Sequence, residues 1–248
     1  MTSRSSLALR IIIITAIYFG LSTYGGLFGW KILYPIRLFV TFLHEFGHAA
    51  GALITGGAVE YIEIETNSAG VTSTFNGNAS VILMGGYIGS AIFGNLLFYI
   101  GARRHSWVKP TLVLVIAAML ITGFIWYNSI FTTLVLCGFS AVLFLVGFKT
   151  KYGREILMLL GLASIIYIIQ DFNVGPSSDL AAMERELKFI PAKVWMYIWL
   201  AIVIAILALN LKMLFSAKTI TPEAVATTEP MPRKRINSTR RYNPIKKK

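Results

Sequence analysis

The chain has 248 residues and a formal net charge of +12, with 56% hydrophobic and only 14% charged residues. Several apolar runs reach the roughly 20 residues that a helix needs to cross a bilayer. This composition argues against a water-soluble fold, and the single cysteine, Cys137, excludes an internal disulfide. We expect an integral, multi-pass membrane protein.

Hydropathy predicts an all-α polytopic membrane protein with about seven transmembrane helices and a small β-hairpin after the second. The first span is expected to be retained, because no cleavage site typical of a signal peptide follows it. Only Asn128 and Ser129 separate the fourth and fifth spans, so these two form a helical hairpin. The predicted spans are Ile11–Phe28, Ile32–Ile54, Ala79–Ala102, Pro110–Tyr127, Ile130–Phe148, Glu155–Gln170 and Ala192–Phe215.

The second span carries the motif His44-Glu45-Phe46-Gly47-His48, which reads H-E-x-x-H. Two histidines four residues apart lie on one face of a helix, so both imidazoles can bind one metal ion. The glutamate between them can act as a general base toward an attacking water. Ionisable groups are costly inside an apolar segment, which strengthens the prediction of a catalytic metal site.

The connection after the second span has the pattern of a β-hairpin. Ile62 and Ile64 alternate with glutamates, Asn67–Gly70 supplies turn residues, and Val71–Phe75 has a second alternating pattern. One interpretation is a solvated loop without function. The other is a strand edge that pairs with an extended peptide close to the metal. The alternating acidic residues, read as a solvated face, are Glu60, Glu63 and Glu65.

Small residues recur at four-residue steps in the second and third spans. Such faces allow transmembrane helices to approach closely, and packing alone would explain them. Since Gly47 and Gly51 lie on the same broad face as the two histidines, we also infer that this face packs against the third span, away from lipid. The small residues of the third span are Gly85, Gly86, Gly89, Ser90 and Gly94.

A catalytic zinc site usually takes three protein ligands, so a third ligand is needed. Asp171 and Asp179 are the acidic candidates, whereas His105 lies in a basic loop and has the character of a solvated histidine. The two serines before Asp179 precede an apolar helical pattern, and spacing alone favours an N-cap role for Asp179 by about two to one. A carboxylate at a helix start can also face a metal, so both roles stay open.

The charges of the loops predict an orientation. Basic residues follow the third, fifth and seventh spans, and Lys31 lies between the first two, so this side is expected to be cytosolic. The segment from Ser216 onward has nine Lys or Arg against two Glu, a net charge of +7. We therefore predict a transmembrane domain at 1–215 and a disordered basic tail at 216–248. The tail should bind anionic lipids, and no nucleic-acid partner is expected, since its only aromatic residue is Tyr242.

Three blocks of the sequence together resemble the site-2 protease family of intramembrane zinc metallopeptidases, in its branch of short, multi-span members. The first is His44–Gly57, with an H-E-x-G-H-A core followed by small residues and a glycine pair. The second is the glycine-rich Met84–Ser90, and the third is Ser178–Met183 with a downstream Ile-Pro pair and Trp195. The third block departs from the better-known members, whose aspartate is followed by glycine, because Leu180 follows here.

By position, the resemblance implies one Zn²⁺ ion bound by His44, His48 and Asp179, with Glu45 as the general base and Asp171 as the reserve third ligand. It implies hydrolysis of peptide bonds in or near membrane-embedded segments of a protein or peptide substrate. For Asp179 to reach the histidines, the segment before it must enter the protein interior, where protein or water has to cover irregular backbone.

Two other functions remain open. A catalytically silent membrane scaffold or chaperone could keep the fold and the metal without cleaving any peptide. A transporter could use His44 and Glu45 along an ion path, although the sequence shows no paired repeats of the transporter kind.

Overall fold

A computed structural model describes residues 4–172 and 174–216. The predicted tail therefore lies outside the described residues, apart from Ser216, which ends the last helix. The helices are α1 (Arg4–Tyr24), α2 (Gly26–Ile54), α3 (Ala79–Met84), α4 (Ser90–Arg103), α5 (Val108–Phe124), α6 (Ile130–Lys149), α7 (Gly153–Asp171), α8 (Asp179–Leu187) and α9 (Ala192–Ser216), with strands β1 (Ala58–Ile64) and β2 (Gly70–Phe75).

Within the described residues, seven helical segments are long and apolar enough to cross a membrane, as predicted for a multi-pass integral membrane protein. A π-helical turn at Gly85–Gly89 joins α3 to α4, so this span is continuous but irregular. Large apolar side chains on the outside of several helices are exposed, which suits contact with lipid. Examples are Ile12, Leu114, Phe144 and Leu209.

The break between the first two spans lies earlier than predicted. The first span is predicted to end at Phe28, with Lys31 between the first two spans, whereas α1 ends at Tyr24 and Lys31 is an exposed residue inside α2. Gly26 has a φ of +52°, a conformation that glycine adopts without strain, so one glycine pair is enough to reverse the chain. The lysine at position 31 therefore does not mark a helix end.

The predicted hairpin is present and antiparallel, with Ile62 opposite Thr72 and Ile64 opposite Gly70. The outer edge of β1 is covered, because the backbone N–H of Ile62 donates to Trp126 O (3.1 Å) and that of Ile64 to Thr132 Oγ1 (2.9 Å). In an antiparallel pair, two residues directly opposite each other either both point their backbone N–H and C=O groups towards the partner strand or both point them away from it. The N–H and C=O groups of Thr72 and Gly70 therefore point away from β1, along the outer edge of β2.

Close backbone contacts attach α2 to the third span, as the small residues predicted. A Cβ atom on Gly47 would lie 2.1 Å from Gly85 O, and one on Gly51 would lie 2.9 Å from Ile82 Cα. Gly94 instead faces α7, where its Cβ would lie 3.1 Å from Gly161 O. The small residues of the third span therefore serve two neighbours, α2 and α7.

Two arginines hold three helix ends together. Arg154, at the start of α7, donates to Gly101 O (3.0 Å) and Ala102 O (3.2 Å) at the end of α4. Arg103, the last residue of α4, donates to Leu214 O near the end of α9. The basic stretches after the third and fifth spans thus share one end of the molecule with the end of α9. The assignment of this end to the cytosol stays a prediction.

Candidate metal centre

The H-E-x-x-H motif lies in the middle of α2 and forms the centre of the site. His44 and His48 are one helical turn apart, and one ligand atom from each, together with a carboxylate oxygen of Glu45, all lie within 4.8 Å of one another. His48 and Glu45 are buried, and His44 is partly buried. Burying three polar side chains among apolar helices costs free energy unless the three share a common partner.

The third span fixes the ring of His48. Its Nδ1 lies 2.7 Å from the backbone oxygen of Ile82 in α3, so Nδ1–H donates this hydrogen bond. The ring is thereby oriented with Nε2 towards Asp179, where a bound metal would take the place of a proton on Nε2. A histidine that binds a metal through one ring nitrogen usually donates the N–H of its other ring nitrogen to an acceptor such as a backbone oxygen.

The hairpin fixes Glu45. The Thr72 hydroxyl lies 2.7 Å from Glu45 Oε2, to which it donates, and 3.0 Å from the Glu45 backbone oxygen. Gly70 lies against the same carboxylate, since a Cβ atom there would be 2.7 Å from both Glu45 Cγ and Oε1. The face of β2 that carries the Thr72 side chain therefore lies against the glutamate.

Asp179 comes to the same site from a sequence distance of 135 residues. Its Oδ2 lies 2.9 Å from His44 Nε2 and 3.3 Å from His48 Nε2. The proximity that the three-ligand prediction requires is thus present. Asp171, the reserve ligand, ends α7 and lines the same cavity, but the hydrogen bond and ion pairs described for the two histidines are made by Asp179 and not by Asp171. His105 is exposed in a short 3₁₀ turn, as expected.

The N-cap role that spacing favoured for Asp179 is wrong. Ser178 is the N-cap of α8, and its Oγ accepts from Ala181 N at 3.2 Å. Asp179 is the first helical residue, and its side chain turns to the histidines. The preceding serine satisfies the exposed N–H group at the helix start, so the carboxylate is not needed there.

The electrostatic setting keeps the Asp179 carboxyl ionised. Burial alone would raise the pKa of Asp179, but the hydrogen bonds to His44 and His48 outweigh it and hold this pKa below its usual value. The start of α8 adds the positive end of a helix dipole beside the carboxylate. A carboxylate ligand must be deprotonated, so these contacts preserve the form that binds a metal.

The separations between the donor atoms suit a zinc ion. Two ligand atoms at about 2.0–2.1 Å from a tetrahedral ion lie about 3.3–3.4 Å apart. The aspartate oxygen is 2.9 Å and 3.3 Å from the two Nε2 atoms, close to that value. Nitrogen and carboxylate donors are also the types that catalytic zinc uses. The residues present therefore fit the metal that the motif predicts.

Two features of the site were not predicted from the sequence. The π-helical turn brings Gly86 against the imidazoles, where a Cβ atom would lie 2.5 Å from His44 Nε2. Tyr87 packs edge-on against the His44 ring at 4.8 Å between centroids and stacks on Phe172. Gly86 and Tyr87 both belong to the glycine-rich block Met84–Ser90. The spacing of the small residues in this block was the sequence feature that could have indicated their place in the site.

Two neighbouring cavities lie beside β2. The first, of about 530 Å³, is lined by the histidines and Glu45. The second, also of about 530 Å³, shares the lining residues Thr72, Ile82 and Leu83 with the first and reaches α8 at Arg185. Residues of β2 thus line both the cavity of the metal centre and the cavity next to it.

The profile of the Peptidase M50B-like family matches residues 10–210 of the chain. This match covers α2, the hairpin, the third span and α8, which together form the site, and it covers most of the membrane part. The chain belongs to this family. The resemblance to site-2 proteases is thereby confirmed. No curated protein and no solved structure matches the chain significantly. An M50B-like membrane protein with an H-E-x-x-H cluster has the features expected of a metallopeptidase.

Proposed function

We propose that the protein is a zinc-dependent endopeptidase that hydrolyses peptide bonds in or near membrane-embedded segments of protein substrates. The observation that carries this proposal is the approach of Asp179 Oδ2 to the Nε2 atoms of His44 and His48, with Glu45 beside them. Three ligands and a separate carboxylate are the set that hydrolytic zinc sites use.

His44, His48 and Asp179 would hold the ion. Bound there, zinc would supply a Lewis acid that polarises the scissile carbonyl and lowers the pKa of water towards about 7. The hydrogen bond from His48 to Ile82 and the packing of Tyr87 on His44 keep both rings oriented without the ion. Such support usually strengthens metal binding and reactivity.

Glu45 would act as the general base. Its carboxylate takes a proton from the water that attacks the carbonyl carbon, and it then transfers this proton to the nitrogen of the leaving amine. The C–N bond breaks as the amine leaves, and the products are a carboxylate and an amine. The Thr72 hydroxyl holds one carboxylate oxygen, so the other can face the attacking water.

The substrate would bind as an extended strand along β2. The backbone groups of Gly70 and Thr72 point outward along this edge, beside Glu45. An added strand gains backbone hydrogen bonds whatever its side chains are, and it exposes each peptide carbonyl to the catalytic groups. A membrane helix has to unwind before it can pair in this way.

The basic tail completes the proposal. Its position after the seventh span and its charge support attraction to anionic lipid headgroups on the cytosolic side. This part of the chain lies outside the described residues, so the proposal rests on sequence alone. Removing residues 217–248 should weaken binding to phosphatidylserine vesicles and leave binding to phosphatidylcholine vesicles unchanged.

The decisive test compares Glu45→Gln with the wild-type protein and with Glu65→Gln, an exposed glutamate at the end of the hairpin strand. Purified protein in detergent is assayed for zinc content and for cleavage of membrane-spanning peptides. We expect Glu45→Gln to retain zinc and to lose cleavage by at least about a hundredfold, the range of general-base loss. Glu65→Gln should retain both, and Asp179→Asn should lose zinc.

Two results would reject the proposal in different ways. Undiminished cleavage by Glu45→Gln would show that the site described here is not catalytic. Zinc bound with His44 and His48, but with no hydrolysis of any membrane peptide by the wild-type protein, would favour the silent scaffold.

A further inference from the structure

A basic side chain at one end of the catalytic cavity has no role in the proposed hydrolysis. Arg37 lies on α2, seven residues before His44, and lines the same cavity. Its Nε atom is buried and has no hydrogen-bond acceptor among the described residues. The Oγ atom of Ser68, in the hairpin turn, lines the same cavity and is likewise buried without a partner among the residues described.

The surroundings hold these two groups in place. Tyr34 and Thr41, which lie on the Arg37 side of α2, bind the hairpin turn through Thr66 O and Ser68 O, each at 2.8 Å. The guanidinium carbon of Arg37 lies 5.9 Å from the ring centroid of Tyr167, within reach of a cation–π contact. The turn and the arginine are therefore attached to one rigid helix face.

An arginine inside a membrane span is costly and normally has a partner. One acidic candidate in the cavity is Asp171, which interacts electrostatically with Arg37 and with Tyr167. However, it forms no ion pair with Arg37, since the ion pairs among the described residues involve other side chains. Arg37 thus keeps one buried donor, Nε, that has no acceptor among the described residues, and its side chain lines the cavity where a substrate would lie.

We propose that Arg37 and Ser68 form a subsite that binds a carboxylate of the peptide substrate. This inference rests on the proposed function, because it names the chemistry that the same cavity selects. Guanidinium and hydroxyl donors together match a carboxylate, which accepts hydrogen bonds on both oxygens. The substrate preferred by this protein therefore carries an acidic side chain at a fixed distance from the cleaved bond.

Helix geometry gives that distance. Seven residues of α2 span about 10 Å at 1.5 Å per residue. An extended peptide advances about 3.3 Å per residue, so the acidic residue lies about three positions from the cleaved bond, or two to four with the reach of the arginine side chain. The hairpin turn lies at the Arg37 end of β2, so the acidic residue occupies that end of the paired strand.

The test measures binding, so that it does not depend on hydrolysis. The full chain with the substitution Glu45→Gln is reconstituted in phosphatidylcholine vesicles. Its affinity is measured for membrane-spanning peptides that are amidated at the C-terminus and carry a single Asp or Asn at successive positions. We expect the Asp peptide to bind about tenfold more tightly at one position, as is typical of a hydrogen bond to a charged group.

Three further variants assign this preference to the subsite. Adding Arg37→Gln should abolish it, and Ser68→Ala should reduce it about threefold, as a single hydrogen bond would. Lys31→Gln, which removes an exposed charge from the same helix, should leave the preference unchanged. If Arg37→Gln folds poorly, the Ser68→Ala series alone decides the result, because an unchanged Asp preference there contradicts the proposal.

The outcomes separate the inference from the proposed function. An equal affinity for Asp and Asn peptides at every position, or a preference that survives Arg37→Gln, overturns the subsite. If tight binding requires a free C-terminal carboxylate and is absent from amidated peptides, the subsite does not bind an internal acidic side chain, and that part of the proposal is wrong. If the Asp preference is present while the wild-type protein cleaves nothing, the proposed hydrolysis fails and the carboxylate subsite stands.

Discussion

Gly86 packs closely against the two imidazoles of the metal centre. The substitution Gly86→Ala, which adds one methyl group, tests this contact. In Gly86→Ala, the new Cβ atom would lie 2.5 Å from His44 Nε2 and 2.6 Å from both Cε1 and Nε2 of His48. Non-bonded carbon contacts normally require about 3.5–4.0 Å, so the rings have to retreat by about 1 Å. Both atoms that would bind the ion are affected.

The magnitude follows from how little displacement a zinc site tolerates. Ligand distances have to remain within about 0.2 Å of their usual values, and the methyl group requires several times that shift. Loss of ligand support typically lowers metal affinity by about 10- to 100-fold. We therefore expect the zinc affinity of Gly86→Ala to fall at least tenfold, with a loss of about 1–3 kcal/mol in the free energy of unfolding from overpacking.

Gly138→Ala is the matched control. Gly138 lies on the outside of α6, and a Cβ atom there would meet nothing within 4 Å. In a helix this change should stabilise the protein by about 0.4–1 kcal/mol and leave zinc binding unchanged. Zinc affinity is measured by competition with a chelator in detergent. A Gly86→Ala protein that binds zinc as tightly as Gly138→Ala would refute the geometry described for the centre.

Three other substitutions test separate parts of the structure. Gly70→Ala should push the Glu45 carboxylate aside, retain zinc and lower cleavage about a hundredfold, the usual cost of a 1 Å misplacement; loss of zinc would contradict this. Thr72→Val should remove the hydroxyl that holds Glu45 and lower cleavage about tenfold at unchanged zinc content, and an unaffected rate would argue against that role. Asn210→Leu should break the buried bond to Asn95 and lower stability by about 1 kcal/mol in detergent unfolding, with no change in zinc affinity.

Much of the fold follows from local patterns in the sequence. The seven apolar runs and the hairpin alternation at Ile62 and Ile64 are patterns of consecutive residues. The helical hairpin of the fourth and fifth spans was predicted too, but its connection is five residues, 125–129, and not Asn128 and Ser129 alone, because α5 ends at Phe124. Such signals survive folding because a bilayer requires each helix to satisfy its own backbone groups. The helix that carries His44 and His48 was predictable for the same reason.

The differences arise where local rules compete. Lys31 resembles a loop residue by charge, but its long side chain can extend from an exposed helix face, while the conformation of Gly26 reverses the chain earlier. The π-helical turn at Gly85–Gly89 has no hydropathy signature, since its residues are as small and apolar as those of an ordinary helix contact. The turn lies where Gly85 meets Gly47 of α2, and such a contact between helices is a tertiary property.

Asp179 shows most clearly why a distant ligand is harder to predict than a motif. Its local sequence fits a helix N-cap, but the neighbouring Ser178 occupies the N-cap position in the structure. The position of α8 is then fixed from the other side, because Glu184 accepts a hydrogen bond from the backbone N–H of Ala192 at the start of α9 (3.0 Å). A short polar helix attached to a transmembrane helix can hold a carboxylate at membrane depth without a span of its own. The position of the proposed third ligand is thus set by packing between α8, α9 and the third span, whereas the positions of the first two proposed ligands are set by the period of a single helix.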